Sequence, residues 1–291
     1  MKIALIGADG QLGTDLAQQL KLKKIPFQPL YFPQFDITQP AEARKVLSNL
    51  KPDIIINTAA YHRVDECEDY PEKAFKVNAL AVRQLSLICR ELGATLVHFS
   101  TDYVFDGRKK SPYTEEDCPR PLSVYAASKL AGENFVQAIL EKYFLIRTCG
   151  LYGVAGCWGK GTNFVETMIK LAKKGQTIRV VNDQHVTPTS TWELAARIIE
   201  ILETRAYGVY HLTNEGECTW FEFAGKIFEL LGLRPELLPV SSREFGARAV
   251  RPFYSVLENK RASILGITPF SPWEEALQDY LIRKGHLSTD K

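Results

Sequence analysis

The chain has 291 residues, enough for about two domains of ordinary size and for a core that needs no disulfide or metal staple. Its 45% hydrophobic and 24% charged residues exclude a disordered, collagenous or coiled-coil chain, and its net charge of +2 supplies no basic field for nucleic acid or an anionic membrane. No apolar run approaches the roughly 20 residues of a membrane span, and the start, MKIALIGADG, is too short for a secretory signal, so a cytoplasmic protein without a nucleic-acid or membrane partner is expected.

Residues 2–6 (KIALI) are a short apolar run that stops at Gly7. In QLGTDLAQQL, Leu12, Leu16 and Leu20 recur every fourth residue, which is helical periodicity. A second strand falls at about 27–32. Asp36 and Thr38 form a turn and N-cap before a helix at 40–50. DIIIN (53–57) is a third strand, and Pro71 opens a long helix that runs to about residue 92. TLVHF (95–99) is a strand, 124–142 a helix and YFLIR (143–147) a strand.

Apolar strands alternating with helices imply a parallel sheet covered on both faces. The expected fold is therefore α/β, a Rossmann-like doubly wound parallel sheet with a smaller C-terminal α/β substrate domain. Residues 1–152 would be the dinucleotide-binding domain, with 176–206 returning to it. Residues 153–175 and 207–291 would be the substrate domain. Within them, helices are expected at 163–174, 192–203, 220–231 and 272–284, and strands at 177–181 and 208–212. The six cysteines show no C-x-x-C pair and no zinc spacing, so they read as reduced thiols and no metal site is expected.

Gly7, Gly10 and Gly13 lie between the first strand and the first helix. A tight turn there aims free helix N–H groups at an anion and lets the backbone approach a pyrophosphate. This points to a dinucleotide, NADH or NADPH. Residues 28–35 (QPLYFPQF) hold neither an acid nor an arginine to read the ribose, so the two cofactors are not separated. Asp36 and Ile37 are the candidates for adenine contacts.

Tyr125 and Lys129 form Y-x-x-x-K one helical turn apart. An ammonium beside a phenol favours the phenolate, which makes the tyrosine a proton donor usable near neutral pH. Tyr280 and Lys284 match the same pattern but read as a solvated helix face. Thr101 ends the TLVHF strand, where open α/β sheets bind ligands. The acidic run Asp65, Glu66, Glu68 and Asp69 reads as a capped, solvated helix start. Arg251 is a candidate for phosphate, His98 a core histidine, and Asn78 a packing residue that braces the groove.

The G-x-x-G-x-x-G turn resembles the extended short-chain dehydrogenase/reductases. The strings NTAAYHRVDECED, HFSTDYVFDG, VYAASKLAGE, VVNDQHVTPTSTWELA and RPFYSVLEN resemble dTDP-4-dehydrorhamnose reductase, with matches from residue 1 to about 260. The resemblance implies NAD(P)H-dependent reduction of the C4 ketone of a dTDP-linked 6-deoxy-4-ketohexose to dTDP-L-rhamnose, and a homodimer. It implies Tyr125 as proton donor, Lys129 as its support and Thr101 as the third catalytic member. Asp102 and Tyr103 would meet the nucleotide-sugar substrate. Gly10, Gln11 and Leu12 would meet the pyrophosphate, Asp36 and Ile37 the adenine end. Ala60, Tyr61 and His62 would line the cofactor groove.

Two positions depart from the family pattern. His62 stands where threonine is usual. Gly150 stands where a tryptophan helps bind the sugar nucleotide, and Trp158 is the candidate for the vacated space. The alternatives are a non-catalytic subunit resembling the methionine adenosyltransferase β subunit, or a reductase or epimerase of another nucleotide sugar. A 4,6-dehydratase is disfavoured because Tyr103, not a second carboxylate, follows Asp102.

Overall fold

The computed structural model describes residues 2–156 and 161–288. The first half alternates as the apolar runs demand: β1 (Ile3–Ile6), α1 (Gln11–Leu22), β2 (Phe27–Leu30), α2 (Pro40–Leu50), β3 (Ile54–Asn57), α3 (Val64–Asp69), α4 (Pro71–Phe75), α5 (Ala81–Leu92), β4 (Thr95–Thr101), α6 (Val124–Ile139) and β5 (Tyr143–Thr148). The second half adds β6 (Leu151–Tyr152), α7 (Phe164–Lys173), β7 (Ile178–Val181), β8 (His185–Val186), β9 (Thr189–Ser190), α8 (Thr191–Thr204), β10 (Gly208–His211), β11 (Cys218–Thr219), α9 (Trp220–Leu231), β12 (Leu237–Val240), α10 (Ser242–Phe245), α11 (Lys260–Ile264) and α12 (Trp273–Arg283).

Six strands form one parallel sheet in the order β2-β1-β3-β4-β5-β10. Side chains alternate across each strand, so β1 sends Ile3 and Leu5 to one face and Ala4 and Ile6 to the other. The first face packs on Leu12, Leu16 and Leu20 of α1 and on the apolar stripe of α8. The second packs on Leu47 of α2, Val82 and Leu85 of α5, and Val136 of α6. The sheet is doubly wound, and its strand order reverses between β1 and β3, the place where such sheets bind ligands.

A smaller core gathers α7, α9 and α12 around the β7–β12 pair, with Phe223, Ile227 and Leu277 at its centre. Two boundaries differ from the sequence expectation. Ile178–Val181 pairs with Leu237–Val240 instead of returning to the large sheet. Gly208–His211, expected in the substrate domain, is the edge strand beside β5. Short apolar runs carry no local mark of their strand partner, whereas α8 packs on the first face of the large sheet and β9 pairs with β6.

The long helix expected from Pro71 is interrupted. A π-helical turn, Lys76–Leu80, separates α4 from α5 and carries the buried Asn78. Tyr280 is also buried, contrary to the solvated face expected for its Y-x-x-x-K pair. Its hydroxyl donates to Glu166 Oε1 (2.8 Å) and accepts from Asn163 Nδ2 (3.1 Å). The apolar stripe of α12 must face the second core, and Tyr280 lies on that stripe. Among the described residues, no helix is long and apolar enough to cross a membrane and no cluster of three or more His, Cys, Asp or Glu could hold a metal ion.

Candidate active site

The glycine turn connects β1 to α1 at the strand-order reversal. Gly7 takes a left-handed backbone (φ 74°), and a β-carbon there would sit 2.6 Å from Thr58 Oγ1. That hydroxyl donates to the Ile6 and Gly7 carbonyls (2.8 and 3.0 Å), so β3 closes onto the turn. Gly10 caps α1 with no side-chain hydrogen bond, and no acidic residue occupies the first turn. The helix start therefore keeps donors for an anion, and this local chemistry fits a pyrophosphate. Leu12 buries its side chain in the core and offers only its backbone. Gln11 is tied down: its Nε2 donates to Leu151 O (3.1 Å), and its Oε1 accepts from Asn163 Nδ2 (3.2 Å).

Gly13 is where α1 rests on the turn. A β-carbon there would collide with Gly7 O and lie 2.9 Å from Ala8 Cα, both rigid backbone. Gly13→Ala is expected to cost roughly 1–3 kcal/mol of stability and to weaken dinucleotide binding with it. Thermal denaturation and a cofactor titration check this, and unchanged values for both would contradict the packing.

Beyond β2, Asp36 accepts from the Thr38 N–H (2.8 Å) and hydroxyl (2.9 Å), as expected for a turn, while Ile37 is buried. Beyond β3, Ala60, Tyr61 and His62 lie in the loop that leads to α3. Asn78 fixes them. Its Oδ1 accepts from Tyr61 N–H (2.8 Å), and its Nδ2 donates to Tyr61 O (3.0 Å) and to Ser128 Oγ (3.0 Å) on α6. The π turn thus welds the groove to the helix that carries Tyr125 and Lys129. His62 Nδ1 lies 3.4 Å from Ala60 O.

Ser123 caps α6, with its Oγ accepting from Ala126 N–H (3.3 Å). Tyr125 and Lys129 follow on one face. Lys129 is buried, and its Nζ donates to Phe99 O (2.6 Å), spending one of three N–H bonds. Burial pulls its pKa down to about 8, while Glu133, one turn on, acts the other way. Thr101 ends β4 and donates to Asp102 Oδ1 (2.9 Å). Cys149 Sγ donates to the other Asp102 oxygen (3.0 Å), and burial raises the Asp102 pKa. The Tyr103 ring stands edge-on to Tyr125, 6.3 Å between centroids. Burial and the nearby Asp102 push the Tyr103 hydroxyl up.

Beneath this lies a pair the sequence reading did not single out. Glu133, fully buried, receives Arg147 Nη2 at 2.7 Å and Nε at 3.0 Å. Gly150 is left-handed (φ 53°). A β-carbon there would meet Pro188 Cα at 3.2 Å and the Trp220 ring at 3.3 Å. Trp158, the candidate for that space, lies outside the described residues. Arg251 comes from a distant segment and pairs with Asp65 (2.8 Å) beside Tyr103.

The site thus joins an anion-seeking helix start, a buried lysine, a tyrosine one turn away and a strand-end threonine. The RmlD substrate binding domain family model matches residues 1–285. The chain belongs to this family. The RmlD-type chain is 39% identical to the spore coat polysaccharide biosynthesis protein SpsK of Bacillus subtilis, over 96% of both chains. Its structure is similar to that of a dTDP-4-dehydrorhamnose reductase from Clostridium acetobutylicum, with TM-score 0.92, 41% identity and coverage of 97% and 98%. A dTDP-4-dehydrorhamnose reductase from Bacillus anthracis, solved in complex with NADP, also gives 0.92, at 40% identity over 97% and 99%.

Proposed function

We propose that the chain reduces the C4 ketone of dTDP-4-dehydrorhamnose with NAD(P)H to give dTDP-L-rhamnose, in the cytoplasm and as a homodimer. The observation that carries this is the Tyr125–Lys129 pair on α6, with Lys129 bonded to the Phe99 carbonyl two residues before Thr101 on β4, in a chain of this family. The second unit, from α7, α9 and the β7–β12 pair, would select the nucleotide sugar.

When bound, the reduced nicotinamide supplies a hydride to C4. The glycine turn and the start of α1 would hold its pyrophosphate, and the Lys129 ammonium would hydrogen-bond its ribose. Thr101 turns its hydroxyl from Asp102 to the developing oxyanion, which leaves Asp102 to accept from Cys149 and from substrate hydroxyls. Tyr125 then passes its proton to the oxygen. Lys129, charged, stabilises the phenolate that remains. Arg251 meets the diphosphate.

The direct test mixes the purified chain with reduced cofactor and dTDP-4-dehydrorhamnose and follows nicotinamide absorbance, with the product identified by NMR. Cofactor oxidation matched by dTDP-L-rhamnose supports the reading. Binding without turnover on this sugar would overturn it. A pH prediction goes with it. Lys129 carries its charge below about pH 8 and loses it above, so kcat/KM is expected to fall on the alkaline side with a midpoint near 8. A fall centred near the ordinary lysine value would remove Lys129 from that limb.

A further inference from the structure

The acidic turn expected to be a solvated helix start is a bracket. Its four carboxylates reach three places: the 248–251 segment, Tyr61 after β3, and the start of α6. Asp65 grips the Arg251 guanidinium through two oxygens, Oδ2 to Nη2 at 2.8 Å and Oδ1 to Nη1 at 3.2 Å, and also receives Ala249 N–H at 3.0 Å. Asp69 pairs with Arg248. Glu66 receives the Tyr61 hydroxyl at 2.9 Å. Glu68 Oε1 receives the Val124 N–H at 2.8 Å. Val124 is the first residue of α6, and the next is Tyr125.

A six-residue helix does not need three partners distant in the chain to stand. Its apolar anchor is the buried Cys67. The polar contacts divide between two tasks: Asp65 at one end of α3 holds the cation of the substrate side, while the other end holds both Arg248 of that same segment and the start of the helix that carries the proton donor. The Asp65 carboxylate occupies one edge of the planar guanidinium. The Ala249 carbonyl takes the second Nη1 hydrogen at 3.1 Å, and the remaining side of the fork meets the Tyr103 hydroxyl, whose ring stands edge-on to Tyr125, so a diphosphate would bind there by sharing or displacing that hydroxyl. An arginine with one edge pinned loses less freedom when it binds a phosphate.

We propose that α3 is a two-ended positioning element, in which Asp65 orients Arg251 for the nucleotide diphosphate and Glu68 fixes the start of α6 and with it the Tyr125 hydroxyl. This deepens the proposed function and rests on it for the identity of the sugar. The two ends have opposite kinetic signatures. Loss of the Asp65 charge weakens ground-state binding of the nucleotide and leaves the chemistry in place. Loss of the Glu68 acceptor leaves the nucleotide bound and moves the proton donor.

The test uses the full chain with NADPH and dTDP-4-dehydrorhamnose, and calorimetry with dTDP alone. Asp65→Asn is expected to raise the sugar KM and the dTDP Kd in parallel, by about tenfold, with kcat within about twofold and the NADPH Kd unmoved. Asp65→Glu should restore most of the loss. Glu68→Ala, which removes the acceptor, is expected to lower kcat by about tenfold, with KM and dTDP Kd unmoved. A merely structural turn would shift kcat, KM and the melting temperature together in both variants, and that outcome overturns the assignment. So does an unmoved dTDP Kd in Asp65→Asn. If the wild type binds dTDP but does not reduce the sugar, the proposed function fails, while weaker dTDP binding in Asp65→Asn still upholds the Asp65 end.

Discussion

Tyr125→Phe is expected to lower kcat by roughly 10²- to 10⁴-fold, the range that a positioned proton donor supplies. The ring would stay. It sits near the start of α6, edge-on to Tyr103, and that contact needs only the aromatic carbons. The helix is held by the Ser123 cap, by Asn78 to Ser128 and by Glu68 to Val124, none of which uses the phenol oxygen. NADPH affinity should therefore change little, which fluorescence titration of the variant would show. The reaction should fail after hydride arrival, because the alkoxide has no proton source held in place. A variant within tenfold of the wild-type kcat would move the proton-donor role elsewhere, with Thr101 as the next group to test.

The second large effect concerns stability. Glu133 and Arg147 are both buried and bonded through two nitrogens. Arg147 also lies over the Phe105 ring, 5.3 Å from its centroid. Arg147→Met keeps the length and removes the charge. The Glu133 carboxylate is then left in the core without its hydrogen-bonded partner, and breaking a buried pair from one side costs about 3–5 kcal/mol. Chemical denaturation should show a markedly lower midpoint. Replacing both partners, with Arg147→Met and Glu133→Leu, should recover much of the loss, since an apolar pair of similar volume is often neutral. If the single variant keeps the wild-type midpoint, the pair contributes no net stability.

The parts of this fold that were legible in the sequence were local ones. A strand, three glycines and a leucine stripe specify the β1–α1 turn from within a short stretch, and Tyr125 and Lys129 mark a helix face by spacing alone. Glu133 was hidden because a glutamate on a helix reads as solvent-facing, and only its arginine partner on the next strand reveals the burial. The four carboxylates of α3 were hidden for the same reason, since Asp65 meets Arg251 across most of the chain. The exchange of Ile178–Val181 and Gly208–His211 between sheets follows from strands four residues long, whose apolar content fits either place. The short strands β6, β8, β9, β11 and β12 carry too few residues for a period to show.

The edge strand β10 has a consequence for how the protein is made. The dinucleotide half is encoded first but lacks its last strand until residues 208–211 have been synthesised, and its face stays bare until α8 and the Ala262, Ile267 and Phe270 contacts arrive. A nascent chain that ends near residue 150 exposes the open side of β5 and the apolar surface that α8 covers. Such an intermediate is prone to edge-to-edge association. A fragment cut near residue 150 should therefore be insoluble, and a working minimal version of this cofactor fold must carry the chain through to residue 270.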